Sequence, residues 1–313
     1  MDINTLIYND VDQLSHAIKR ADLEIYQLGS GKFEGTLSKM GGNRHTIDVG
    51  KYKNRVLSNA TQASDAITFA AILENSGSCQ FKSKQITNSA IACLKEGSET
   101  SFDIAENTTW TLFKTQRKTL ESIGFDLSTL TETLIAHPDD YVSKNIINIK
   151  DLITELDQLS FEESLLLNED IIFERMLSYY IDEYSSVNDY TILKKGNCDY
   201  VAGKVYDYIL SHNEYVPTLE EICLVVGEQA RTLQRCFKKR YNLSIWTFQK
   251  IHRLHMSRQQ FILPLKDTNI TKVALEHGFT HFSRFSRDYK DLFGELPSST
   301  MKIGRQKMGI TEG

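Results

Sequence analysis

Two sets of side chains in this sequence are suited to gripping an anionic or base-edge partner. The first is Arg231, Gln234, Arg235, Lys238 and Lys239; the second is Ser283, Arg284, Ser286, Arg287 and Lys290. All are hydrogen-bond donors, and none of these positions brings a nucleophile next to a base. Each set is interleaved with apolar residues at helical spacing. Phe282, Phe285, Tyr289 and Leu292 recur at i, i+3, i+7 and i+10, and Leu233, Cys236 and Phe237 do the same work in the other set. Each donor-bearing helix is preceded by a shorter apolar one and a glycine. Leu219, Ile222 and Val226 lead to Gly227; Ile270, Val273 and Ala274 lead to Gly278. Glycine at such a turn permits positive φ without a Cβ clash. Thr218 and Glu221 have the spacing of a capping box. Helix, glycine turn, then a helix with an apolar back and a basic, hydroxyl-rich front is the helix-turn-helix pattern, and here it occurs twice, at about 218–241 and 269–292.

At these residues the chain resembles the AraC/XylS family of bacterial transcription regulators. The matching features are RTLQRCFKK at Arg231–Lys239, Leu243-Ser244 with Phe248, and Arg253-Leu254. ALEHGF at Ala274–Phe279, FSRDYKDLFG at Phe285–Gly294 and Pro297 complete the set. The resemblance covers roughly Tyr200 to Ile303. Two positions depart from the pattern: Ile245 stands where the family usually has proline, and Ser257 where small apolar residues are common. The resemblance implies that both recognition helices enter successive major-groove segments on one DNA face. By position, Arg231, Gln234 and Arg235 would read bases from the first helix, and His281, Phe282, Ser283, Ser286 and Arg287 from the second. Lys238, Lys239, Arg284 and Lys290 would meet phosphates. Phe282 also fits the apolar stripe, so core packing stays open for it. An internal carboxylate pairing stays open for Arg235 and Arg287.

The chain has 313 residues and a formal net charge of −5. That is enough for two domains with real cores. The charge is uneven. From Asp199 onward there are 17 Lys+Arg against 12 Asp+Glu; before it, 19 against 29. A basic module on an acidic body suits phosphate contact by one end only. Cys79, Cys93, Cys198, Cys223 and Cys236 show no CxxC spacing and read as reduced thiols in a cytoplasmic protein. The first 20 residues lack the basic start and apolar core of a secretory signal, and no apolar run approaches a membrane span.

From Ala21 to Lys114 the texture is of short strands: Leu23–Leu28, Phe33–Met40, His45–Val49, Arg55–Ala60, Ile67–Leu73, Cys79–Lys84, Ser89–Leu94, Ser101–Ile104 and Thr109–Lys114. Such spacing argues for a β-sandwich or small barrel, and the family resemblance implies a cupin-like, effector-binding one. A short helix is expected over Asp10–Arg20. From Lys114 to Tyr184 the pattern turns helical, with one stripe at Ile149, Leu152, Ile153, Leu156 and Leu159, and a longer helix over Glu162–Tyr184 that has apolar surface enough for a second subunit. Ser185–Asn197 reads as a linker. Glycine-rich GSGKFEG at Gly29–Gly35 lacks dinucleotide-binding spacing and reads as a hairpin turn. His45 is isolated, so no metal-binding cupin set is present in the sequence.

The expected fold is α+β: a β-rich N-terminal domain (1–115), a helical dimerisation segment (116–186), a linker (187–198), an all-α DNA-binding domain (199–303) and a tail (304–313). The expected function is a sequence-specific, non-enzymatic transcription regulator, an activator responding to a small molecule or partner. Its expected partners are promoter DNA, RNA polymerase and a second subunit, with no metal, cofactor or membrane. The alternative is an anti-activator or adaptor that holds another regulator through its helical surfaces. Phe33, Phe69, Phe81, Phe102 and Trp110 are candidate effector-pocket walls or plain core.

Overall fold

The computed structural model describes residues 3–18, 21–41, 45–86, 90–122, 133–136, 143–159, 168–186, 191–192 and 196–308. The chain divides into two compact units, one of Met1–Ile25 with Glu34–Lys194, the other of Tyr26–Phe33 with Lys195–Gly313.

The first unit is built on two antiparallel sheets. Its strands are β1 (Ile3–Tyr8), β2 (Ala21–Gln27), β3 (Gly35–Gly41), β4 (His45–Tyr52), β5 (Val56–Gln62), β6 (Ala66–Glu74), β7 (Cys79–Phe81), β8 (Lys84–Ile86), β9 (Ala90–Leu94), β10 (Glu99–Ile104), β11 (Thr108–Gln116), β12 (Thr133–Ala136) and β13 (Thr191–Ile192). One sheet has the order β1-β3-β4-β11-β6-β9-β12-β13, the other β2-β5-β10-β7-β8. The helices are α1 (Val11–Ala17), α2 (Arg117–Ser122), α3 (Lys144–Asp157) and α4 (Glu169–Ser186).

The larger sheet is covered on both faces, which is why β6 reads ITFAAIL, buried throughout and apolar at every position but Thr68 rather than alternating. Along β11 the period of two sorts the side chains. Phe113 joins Ile47, Val49 and Phe69 under α3 and α4. Trp110, Leu112 and Lys114 line an interior cavity of about 70 Å³, together with residues of the smaller sheet such as Ser58, Thr100 and Phe102. Ile146, Ile149, Leu152, Ile153 and Leu156 of α3 pack with Ile172, Phe173, Met176, Leu177 and Tyr180 of α4. Glu183 on α4 accepts from the Ser143 hydroxyl and from Asn145 Nδ2 at 2.8 Å, tying the start of α3 to the end of α4.

Several expectations are corrected. Ahead of the short helix, β1 is a strand that no expectation covered, and it pairs along its whole length with β3. Cys79–Lys84 is two strands, because Lys82 turns the chain at φ 51°. The span read as helical contains β12, which pairs with β9, and the stretch read as linker contains β13, which pairs with β12. Partners distant in sequence create these strands, so local pattern does not announce them. Glu162–Leu167, the expected start of the long helix, lie outside the described residues. Much of the apolar surface of α4 is spent on its own unit, although Ile171 remains 56% exposed and Ile147 on α3 45% exposed. His45 packs its ring against Phe173 at 4.5 Å and Phe113 at 6.0 Å.

Candidate nucleic-acid interface

The second unit carries α5 (Asn197–Leu210), α6 (Leu219–Val226), α7 (Ala230–Tyr241), α8 (Ile245–Ile262), α9 (Ile270–Glu276), α10 (Phe282–Phe293) and α11 (Pro297–Lys307). The Thr218 hydroxyl accepts from Glu221 N at 3.2 Å while Thr218 N donates to the Glu221 carboxylate at 2.7 Å, so the capping box starts α6. Gly227 and Gly278 end α6 and α9 near φ 75° and 73°, and the chain turns into α7 and α10.

On α7, Leu233, Cys236, Phe237 and Tyr241 are buried; Arg231, Gln234, Arg235, Lys238 and Lys239 are exposed. On α10, Phe285, Tyr289, Leu292 and Phe293 are buried; His281, Phe282, Ser283, Arg284, Arg287 and Lys290 are exposed, and Ser286 is half-buried. Phe282 is 40% exposed at the first position of α10, where the apolar stripe has not yet reached the core. Among the described residues, Arg231, Arg235 and Arg287 have no carboxylate partner, whereas Arg284 lies 3.9 Å from Asp288.

Other arginines hold the scaffold. Arg253 donates to the carbonyls of His277 and Gly278 at 3.2 Å and lies 4.6 Å from the Phe279 ring centroid, bracing the α9–α10 turn. Arg258 donates to Glu295 at 2.7 Å and covers the Phe293 ring. The charged side chains thus divide into bracing arginines behind the helices and exposed ones in front.

The upstream segment Tyr26–Phe33 is built into this unit. Tyr26 packs edge-on against Phe248, His252 and His255, and its hydroxyl meets His252 Nδ1 at 3.1 Å. Gln27 N donates to His255 Nε2 at 3.1 Å, and Gln27 Nε2 donates to Leu292 O at 2.6 Å. Gly31 N donates to Asp291 O at 3.0 Å. Carbonyls at the C-terminal end of α10 therefore gain donors from a segment 260 residues upstream. Gly29–Phe33, the first five residues of the GSGKFEG run expected to form a hairpin turn, are part of this strap. Burial, then the neighbouring His277 and Arg253, holds His252 down at about 4; burial, then Arg258 and His252, holds His255 at about 3 despite the Gln27 carbonyl.

The strap fits only because Gly294, at φ 73°, has no side chain: a Cβ there would lie 2.4 Å from Lys32 N. Gly294→Ala is expected to cost about 1–3 kcal/mol, from the left-handed backbone and the displaced strap. Urea unfolding of the variant beside wild type checks this, and an unchanged midpoint would show that the strap yields freely.

One expectation about thiols is overturned. Cys198 and Cys236 are joined as a disulfide, 38 residues apart, while Cys79, Cys93 and Cys223 are not in disulfides. Sequence spacing missed the pair because packing of α5 on α7 brings their Cα atoms to 4.9 Å. Trp246 was also missed. It is 71% exposed at the start of α8 and lines, with Gln234 and Lys238, a cleft of about 610 Å³ beside the reading face of α7. A tryptophan so exposed next to a basic helix is the signal that was available.

Residues 222–303 match the family described as a helix-turn-helix domain. The chain is 29% identical over 105 residues to the XylDLEGF operon transcriptional activator 2 of Pseudomonas putida, covering 33% of this chain and 67% of the relative. The C-terminal unit carries a helix-turn-helix domain of the AraC/XylS family. The XylDLEGF operon transcriptional activator of the same organism is 29% identical over 112 residues, 36% of this chain and 34% of its own, so this match spans about a third of that relative. A solved structure, "a probable AraC family transcriptional regulator" from Rhodopseudomonas palustris, is 28% identical, covering 34% of this chain and 97% of that one, with a TM-score of 0.32. The two departures from the AraC/XylS pattern are accommodated locally. Ile245 takes the first helical position of α8, where proline is tolerated but not required, and is buried. Ser257 is fully buried, and its hydroxyl donates to Arg253 O at 2.9 Å. No helix among the described residues is long and apolar enough to cross a membrane.

Proposed function

We propose that the chain is a promoter-reading transcription activator. The observation that carries this is the pair of recognition helices whose candidate contact residues are almost all exposed, in an AraC/XylS-type domain whose relatives are named as operon activators. Arg231, Gln234, Arg235, His281, Phe282, Ser283, Ser286 and Arg287 read bases; Lys238, Lys239, Arg284 and Lys290 hold phosphates. Trp246 and the Ser244-capped start of α8 flank the same DNA strand. No catalysis is assigned to either unit. The signal enters the first unit, in the cavity lined by Trp110, Phe102 and Lys114, as a small, mostly apolar effector. Ile147 and Ile171, still exposed on α3 and α4, support pairing with a second copy, and RNA polymerase is the partner once the promoter is occupied.

The test is capture of sheared genomic DNA from the source organism on purified protein, followed by sequencing, beside Arg235→Ala and Arg287→Ala. Wild type should enrich discrete sites with two blocks about one helical turn apart. Each substitution should weaken those sites by about 1–3 kcal/mol, roughly five- to 150-fold. Equal enrichment by wild type and variants would overturn the assignment of these arginines.

A further inference from the structure

The Cys198–Cys236 bond joins two helices of unequal standing. Cys236 lies on the inner face of α7, directly after Arg235, and is 2% exposed. Cys198 lies in the first turn of α5, is half-buried, and stands outside the matched residues 222–303. The cross-link thus ties the matched residues to a helix that precedes them in the same unit, and it ends on the helix that carries the reading face. Two other contacts hold α5 against α7 close by. Arg240 donates to Asp199 O at 2.6 Å, and the Tyr206 and Tyr241 rings stack at 5.2 Å. Opening the bond therefore leaves the helices packed but moves their nearest point from covalent to van der Waals separation. In a close-packed interior that displaces the middle of α7 on the order of 1 Å. Hydrogen bonds to base edges tolerate little of that.

We propose that Cys198 and Cys236 form a thiol–disulfide site that sets DNA affinity, with the oxidised protein the tighter binder. The proposal rests on the DNA-reading function above. The oxidant is a low-molecular-weight disulfide. The Cys198 thiolate, at a helix N-terminus and half-buried where Cys236 is buried, attacks one sulfur of it and releases one small thiolate. Cys236 then gives its proton to water and attacks Cys198 Sγ, releasing the second. Two protein thiols are oxidised, and one external disulfide becomes two thiols. Reduction retraces the path, with entry at Cys198, the less buried of the two.

The full-length protein is equilibrated with reduced and oxidised glutathione at graded ratios, trapped by alkylation, and each cysteine counted by mass spectrometry. The genomic DNA capture is run in the two extreme buffers. The expected result is that Cys198 and Cys236 change state together within the series, and that site enrichment falls about tenfold on reduction. Cys198→Ser should bind like reduced wild type in both buffers, and Cys223→Ser should keep the full response. The far-ultraviolet circular dichroism of Cys198→Ser and reduced wild type should coincide, which separates loosening from misfolding. A pair that never exchanges, or enrichment indifferent to its state, overturns the proposal. Failure to enrich sites in either buffer would instead overturn the DNA-reading function, and the alkylation count would still report whether the pair exchanges.

Discussion

Lowering the pH from 7 to 5 should weaken the DNA-binding unit by up to about 4 kcal/mol, and the cause is the seat of the strap. His252 and His255 both accept their places as neutral rings. His252 faces Tyr26, Asn213, His277 and Arg253; His255 faces Tyr26, Gln27, Phe293 and Arg258. Their folded values of about 4 and about 3 lie below the unfolded histidine value of about 6.5. The unfolded chain therefore binds more protons throughout the interval between. Stability is full above about pH 6.5 and falls as the pH drops toward the folded values. Each histidine contributes about 1.4 kcal/mol per pH unit, or about 2 kcal/mol apiece at pH 5. Hydrogen exchange at α8 and at the end of α10, corrected for intrinsic rates, should show protection lost first in these peptides at pH 5. Replacing both histidines by glutamine should flatten the pH dependence, whatever it does to stability at pH 7. Unchanged protection between pH 7 and 5 would mean that the rings accept protons in place.

Asp48→Ala is expected to cost about 3–5 kcal/mol. Asp48 and Lys114 are each 1% exposed and pair at 2.9 Å on adjacent strands of the larger sheet. Removing the carboxylate takes the ion-pair partner from an ammonium in a nearly dry interior, and Lys39, 3.9 Å from the same carboxylate, keeps its bond to the Ala17 carbonyl. The double variant Asp48→Leu, Lys114→Met should recover most of the loss, because two apolar side chains remove both desolvation penalties together. A chemical denaturation cycle of the four proteins measures the coupling, and additive losses would show that the pair is not coupled. The functional consequence is separable. Lys114 lines the interior cavity, so the stable double variant should still capture promoter DNA but lose its response to the effector.

Little in the sequence prepares for either prediction, and the reason is the same in both. Lys114 is only the last residue of a strand run until β4 and β11 are paired. His252 and His255 read as ordinary members of a helix until a segment 226 residues earlier is laid across them. Cys198 and Cys236 show no motif because their meeting depends on how α5 crosses α7. β12 and β13 escape notice because their hydrogen-bond partners, not their own residues, make them strands.

By itself the sequence determined the reading helices. Donors on one face, apolar residues on the other, and glycines at 227 and 278 are local properties, and local properties follow from side-chain type and helical period. The strand runs between Ala21 and Lys114 were legible for the same reason. Only the tertiary structure decided what closes the DNA-binding unit, which charges are buried, and which thiols meet. Each of those is a contact between residues far apart in the chain, and its geometry is set by packing, which no local pattern encodes.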